Sequence, residues 1–280
     1  MTNVQTYQRP MSVEEAWRLL KEGGESAKLV GGGVDVGLFA PPRISTLIDL
    51  TLISNRTIEL ANDKLVIGAG VTLTELLESP LSGRYLDGVV IDTLRQVASP
   101  LLRNAATVGG ALAGTHPWSD VITLFLCLGA CVTQYAGELR SVSLEELLGQ
   151  RGMIDRSIIT EVMLPVPVER TFSSFEKSVR TGFDVGMLNC ACRLTISTNG
   201  CEGVRIVFGG TPDIGHRLEV VEKALTGKKL NRAAIESAGE LASEVIPARD
   251  DVRASADYRR TLAAAGVRRC LMRIMQKAGE

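Results

Sequence analysis

Aromatic side chains make up only 4% of this sequence, and histidine occurs twice. Without aromatic platforms the chain has little on which to stack the bases of a single-stranded nucleic acid. Two histidines in unrelated surroundings, His116 and His216, cannot supply a histidine metal cluster. Neither sign of charge dominates: 31 basic residues are mixed with 32 acidic ones, with no basic stripe to track a phosphate backbone and no charged tail. Long apolar runs are missing too. The longest, Val121 to Val132, falls well short of the roughly 20 residues a spanning helix needs, so no membrane span is expected. The first ten residues lack the charged-then-apolar order of a secretory signal. Six cysteines (Cys127, Cys131, Cys190, Cys192, Cys201 and Cys270) include no C-x-x-C pair and are too sparse for a disulfide framework, so no metal site is expected. Cys190 and Cys192 share one face of a predicted strand and read as core packing. The expected compartment is a reducing cytoplasm.

Familiar catalytic and nucleotide signatures are absent as well. There is no G-x-S-x-G nucleophile elbow and no G-x-x-x-x-G-K-[ST] phosphate loop. A dinucleotide turn of the G-x-G-x-x-G kind begins at Gly31 and Gly33 but meets Val36 where the third glycine belongs. No catalytic acid–base constellation is visible, which favours a chain whose cofactor does the chemistry.

Glycine is present in quantity, and two stretches concentrate it. Leu101 to Asp120 passes through Gly109-Gly110 among the small residues Ala105, Ala106, Ala111, Ala113 and Gly114. Leu29-Val30-Gly31-Gly32-Gly33-Val34-Asp35-Val36-Gly37 is the second. Adjacent glycines cost backbone entropy, so they point to positive φ or to a close approach, here read as approach by something other than protein. Successive backbone N–H groups can form an anion-binding nest without any named motif. Two such loops would hold one diphosphate between them. His116, inside the longer stretch, is a candidate ligand contact.

Along the chain, Ser12 with Glu15 and Thr72 with Glu75 read as capping boxes opening short helices. Lys28–Val30 and Thr46–Leu50 read as strands of a small βαβ-like unit, Thr57–Leu60 and Leu65–Ala69 as a hairpin across Asn62-Asp63-Lys64. Val121–Leu128 reads as a buried helix, Leu101–Asp120 as a loop, and Cys131–Tyr135, Glu138–Val142 and Ile158–Leu164 as strands. Pro165-Val166-Pro167 marks a boundary. Beyond it, strands at Phe172–Val179, Val185–Ser197 and Val204–Gly209 precede helices at Leu218–Leu225, Arg232–Val245 and Ala256–Gln276, an α+β layer with helices on one face. The expected organisation is a first domain over 1–167, with lobes of about 1–56 and 57–167, and a second over 168–280.

In its glycine segments and in the motifs below, the chain resembles the FAD-binding medium subunit of molybdenum hydroxylases, the xanthine dehydrogenase and carbon monoxide dehydrogenase group. Ala98 to Gly110 looks like that family's A-x-P-x-[IL]-R-N-x-A-[ST]-[IV]-G-G run, and Pro117, Ser119 and Asp120 match the P-x-S-D that ends it. Gly31 to Val36 is similar to its A-G-G-T-D-L loop. Phe175, Lys177, Arg180 and Asp184 resemble F-x-K-x-x-R-x-x-x-D, and Asp251, Arg253-Ala254-Ser255 and Tyr258-Arg259 resemble its C-terminal D-x-R-A-S-x-x-Y-R.

The resemblance implies an α+β, two-lobed FAD-binding fold of the vanillyl-alcohol-oxidase (PCMH) type followed by a small C-terminal α+β domain with an antiparallel sheet. It implies FAD, with Leu29, Val30, Gly31, Gly32, Gly33, Val34, Asp35 and Val36 and then Thr107, Val108, Gly109, Gly110 and Ala111 along the diphosphate. Asp120 and Lys177 would sit by the isoalloxazine ring, with Ile159 in contact and Val97 and His116 nearby. The implied activity is that of a flavoprotein oxidoreductase subunit. Electrons from a molybdopterin-binding large subunit would cross a two-cluster iron–sulfur small subunit, reach this FAD and leave to an external acceptor. Three positions depart from the pattern: Ala111 stands where the family has Asn, Val34 where it has a hydroxyl or imidazole, and His116 where it has Ser. Each lost neutral hydrogen bond costs about 0.5–1.5 kcal/mol. The departures motivate an alternative, a scaffold subunit of the same complex with weak or lost FAD binding. A stand-alone flavin oxidase is disfavoured for want of a catalytic base.

Overall fold

A computed structural model describes residues 4–182, 184–211 and 213–279. Strand β1 (Thr6–Gln8) is followed by α1 (Val13–Gly23), started by Ser12, whose hydroxyl accepts from the Glu15 amide. The Glu15 carboxylate takes the Met11 amide, one residue ahead of the cap, so the reciprocal box is not closed on Ser12 itself. β2 (Ala27–Val30), α2 (Val34–Phe39) and β3 (Thr46–Asp49) complete a βαβ unit, and the parallel sheet has the order β1-β3-β2. Its core is Ala16 and Leu20 of α1 packed on Ala27 and Ile48. β1 escapes sequence reading because three mostly exposed residues carry no periodicity.

β4 (Ile58–Ala61) and β5 (Lys64–Gly68) form the expected hairpin, with Asn62 and Asp63 at φ 49° and 54° in the left-handed region that a twist-matched two-residue turn needs. Thr72 and Glu75 close a full capping box on α3 (Leu73–Glu78). Helices α4 (Pro80–Arg84), α5 (Val89–Leu94), α6 (Pro100–Ala105), α7 (Val108–Ala113) and α8 (Asp120–Leu128) follow. The stretch 101–120 is therefore not the expected loop. Ser99, Thr107 and Ser119 each accept a backbone N–H three residues ahead, and these closely spaced caps cut the segment into helices too short to show a period. β6 (Cys131–Tyr135), β7 (Leu139–Ser143), α9 (Leu144–Gly149), α10 (Arg151–Ile154) and β8 (Ile158–Pro165) complete an antiparallel sheet of order β4-β5-β8-β6-β7.

The last strands, β9 (Thr171–Ser178), β10 (Leu188–Ser197), β11 (Gly200–Gly209) and β12 (His216–Arg217), pair antiparallel in the order β12-β11-β10-β9. Helices α11 (Glu219–Leu225), α12 (Arg232–Val245) and α13 (Ala256–Ala278) close the chain. Two compact units result, and they do not follow chain order. One holds residues 1–81, 99–114 and 130–165; the other holds 82–98, 115–129 and 166–280. Among the described residues no helix is long and apolar enough to cross a membrane.

Strand β10 explains the second unit. Leu188, Cys190, Cys192, Leu194 and Ile196 face a core shared with α11, α12 and α13, whereas Asn189 and Arg193 reach α8 on the opposite face. The sheet is thus covered on both faces, correcting the expectation of helices on one. An almost unbroken buried run is what a doubly covered strand requires. Cys190 and Cys192 lie in that core and Cys270 of α13 joins them, the three sulfurs within 4.8 Å of one another. Burial pushes the Cys190 thiol well up, as for a packed apolar side chain.

The C-terminal signature is a lock. Arg259 is wholly buried and donates to the carbonyls of Met187, Arg249 and Ala254 and to Asp251, whose carboxylate also accepts from the Arg253 and Ala254 amides. Partial burial alone would raise the Asp251 carboxyl, but the Arg259 guanidinium and those amides hold it down at about 2. A depressed carboxyl stabilises the fold above its unfolded value near 3.9, here by about 2 kcal/mol, and the gain disappears as pH falls through about 2. The stability gap between wild type and Asp251→Asn is therefore expected to be full at neutral pH and to close across that acid window in urea titrations. A gap that does not change with pH would contradict it.

Candidate functional site

The first glycine segment sits between β2 and α2. Leu29 and Val30 end β2, Gly33 at φ +74° turns the chain, and Val34, Asp35 and Val36 form the first turn of α2. The first N–H groups of a helix have no intrahelical partners, and Gly33 offers no side-chain cap for them. The second segment starts at Thr107, whose hydroxyl caps α7 by accepting from Gly110 N at 3.1 Å. Val108 and Gly109 donate to the carbonyls of Val71 and Ala69, seating α7 by the edge of β5.

These two segments meet. A Cβ on Gly31 would stand 2.7 Å from Thr107 Oγ1, and a Cβ on Gly110 would stand 2.9 Å from the same hydroxyl. A Cβ on Gly32 would lie 1.5 Å from the Ala105 carbonyl oxygen, inside bonding distance. Gly32 is therefore glycine because protein presses on it, which corrects the reading that only a ligand makes the close approach. Gly110 differs: among the described residues, a Cβ there would press on the Thr107 hydroxyl of its own cap, and Gly110 and Ala111 stay partly open. The result is a backbone-walled cradle that side chains would fill. Scarce side-chain bulk leaves room there for a pyrophosphate, while on the α7 side the N–H groups of Val108, Gly109 and Gly110 donate to Val71, Ala69 and Thr107. Ala111 lies on the partly open side of α7, so the departure from Asn removes an amide without altering this backbone. Ile159 lies on β8 at 9% exposure, beside which α7 packs.

The remaining expected residues belong to the other unit. Asp120, the first residue of α8, is buried, and its Oδ2 accepts from Lys177 Nζ of β9 at 2.7 Å. The ion pair is almost dry, with side chains 7% and 5% exposed for Lys177 and Asp120. Lys177 also donates to the Gln96 carbonyl at 3.0 Å, next to half-buried Val97. The second Asp120 oxygen accepts from Asn189 Nδ2 at 2.8 Å. Burial pushes the Asp120 carboxyl up, and the Lys177 ammonium and Asn189 amide oppose that push. His116 stacks on Trp118 at 4.9 Å between ring centroids, and the Arg253 guanidinium lies 4.6 Å from the Trp118 ring.

Asn189 and the Gln96 carbonyl are contacts that sequence reading misses. The carbonyl leaves no trace in a sequence. Asn189 does, as the one polar side chain in the apolar run Leu188 to Cys192.

Removing one partner of a buried ion pair costs about 3–5 kcal/mol, because it strands the other charge. Lys177→Met is expected to lose that much in urea unfolding at neutral pH, and Asp120→Asn combined with Lys177→Met to regain most of it. A double variant no more stable than the single one would show that the pair is not the source.

Residues 2–167 match the family described as "FAD binding domain in molybdopterin dehydrogenase", and residues 173–274 match "CO dehydrogenase flavoprotein C-terminal domain". The carbon monoxide dehydrogenase medium chain of Hydrogenophaga pseudoflava is 28% identical over 273 residues, covering 95% of each chain. The xanthine dehydrogenase FAD-binding subunit of Escherichia coli O157:H7 is 25% identical over 100% of this chain and 99% of its own. A solved structure of the Hydrogenophaga pseudoflava carbon monoxide dehydrogenase superposes with a TM-score of 0.87 at 26% identity, covering 97% of both chains.

Proposed function

This chain belongs to the family of FAD-binding medium subunits of molybdenum hydroxylases, and from that premise we propose that it carries electrons through its FAD between a partner subunit and an external acceptor. The partners of this reading are a molybdopterin-binding large subunit and a small subunit with two iron–sulfur clusters, together in the cytoplasm. When bound, FAD would supply the redox chemistry.

The protein's own residues bind and orient. Leu29 to Val36 and Thr107 to Ala111 would line the diphosphate with backbone that carries little side-chain bulk. Lys177 and Asp120 would hold the isoalloxazine ring with a fixed charge pair, with Ile159 as an apolar contact and Val97 and His116 as further ring contacts. The observation that carries the reading is the meeting of Gly31 and Gly110 at one hydroxyl, Thr107 Oγ1.

Purification of the chain from its own cells, with mass spectrometry of what accompanies it, tests the assembly. The expected result is a yellow complex holding a large molybdenum subunit and a small cluster subunit. A colourless chain isolated alone under the same conditions would contradict the reading.

A further inference from the structure

We propose that Asn189 is a positioning residue of the flavin site, fixing Asp120 as an ionised acceptor and thereby holding the Lys177 ammonium in place. The inference rests on the reading that Asp120 and Lys177 flank the isoalloxazine ring. Asn189 itself stands one step away, on β10, 1% exposed.

All of its polar capacity is directed. Nδ2 donates to Asp120 Oδ1 at 2.8 Å and to the Trp118 carbonyl at 3.3 Å, and Oδ1 accepts from Thr123 Oγ1 at 2.8 Å. The reverse amide orientation would set its oxygen against a carboxylate oxygen, acceptor to acceptor, so the donor must face Asp120. Space for this chain is made across the sheet. Gly209 is the register partner of Asn189 on β11, and a Cβ there would lie 2.4 Å from Thr123 Oγ1 and 2.5 Å from Asn189 Oδ1. Thr123 lies one turn along α8 from Asp120, so helix and strand clamp the carboxylate jointly.

The clamp favours one protonation state. A protonated Asp120 would carry an O–H in need of an acceptor, yet Oδ1 meets an N–H and Oδ2 meets an ammonium. The charged group facing Asp120 is Lys177, from β9. The other neighbours along this clamp are uncharged: Thr123 on α8, the Gln96 carbonyl after α5, Asn189 on β10 and Gly209 on β11. Arg193 and Arg205 bind carbonyls at the far end of α8, at Leu128 and Leu126. With the Asn189 donor gone, burial acts against the carboxylate with only Lys177 to oppose it, and Asp120 takes up a proton at higher pH.

The experiment titrates FAD into apo wild type, Asn189→Leu and Thr123→Val between about pH 6 and pH 9 by flavin fluorescence, and follows thermal midpoints of the apo proteins over the same range. Wild type is expected to bind with little pH dependence. A hydrogen bond to a charged group is lost in Asn189→Leu, so affinity at neutral pH should fall roughly 10- to 100-fold, with a new pH step in both readouts. Thr123→Val, which only frees the amide to turn, should shift the same way by a smaller factor. It decides the matter if Asn189→Leu does not fold. Wild-type affinity and a wild-type pH profile in the folded variants would overturn the role of Asn189. If wild type fails to bind FAD, the flavin reading itself falls, and the apo midpoints still report whether Asn189 holds Asp120.

Discussion

Gly32→Ala is expected to damage the fold more than Gly110→Val, and Gly110→Val to damage FAD binding far out of proportion to its effect on the fold. A Cβ on Gly32 would overlap the Ala105 carbonyl at 1.5 Å, and a backbone oxygen cannot swing aside as a side-chain tip can. Overpacking of this kind costs about 1–3 kcal/mol, and separating the two segments also opens the cradle. Among the described residues, a Cβ on Gly110 would meet the Thr107 hydroxyl at 2.9 Å, which can rotate away for the loss of one cap, about 1 kcal/mol. The valine then occupies the partly open wall meant for a diphosphate. Steric exclusion of the diphosphate from that wall is expected to lower affinity by at least roughly 100-fold. Urea unfolding and FAD titration of the two variants side by side check this. Equal stability loss in both, or wild-type FAD binding in Gly110→Val, would contradict it.

Arg259→Met is expected to cost the fold about 3–5 kcal/mol. The guanidinium is wholly buried and donates to three carbonyls as well as to Asp251, so its removal strips four acceptors of a donor at once. These acceptors join the start of β10, the segment 249–254 and the first turn of α13, all in the second unit. Arg259→Lys should recover little, since one ammonium cannot span a fork that binds on several sides. Denaturant melts give the answer, and a loss below about 1 kcal/mol for Arg259→Met would show the lock to be ornamental.

Much of this was legible in the sequence for physical reasons that can be named. Capping hydroxyls at Ser12 and Thr72 sit where a helix must start, and both act as caps. The glycine segments announced themselves because glycine is costly without a reason. What sequence reading could not supply was the reason at each position. Gly32 answers to Ala105, a residue 73 positions away by numbering, whereas Gly110 is left open. Asp120 and Lys177 were placed by resemblance, but their partners Asn189 and Gln96 depend on which face of β10 turns toward α8. That face was hidden by a run buried on both sides. The exchange of 82–98 and 115–129 into the unit of the C-terminal strands is likewise set by tertiary packing, which local pattern does not encode.

The central claim is that two peptide segments nearly bare of side chains recognise a diphosphate. Competitive titration of the purified chain with FAD, riboflavin and ADP addresses it most directly, because only FAD and ADP carry that group. Saturable FAD binding is expected, with displacement of FAD by ADP and riboflavin binding weaker by at least roughly 100-fold. Riboflavin binding as tightly as FAD, with ADP unable to compete, would contradict it.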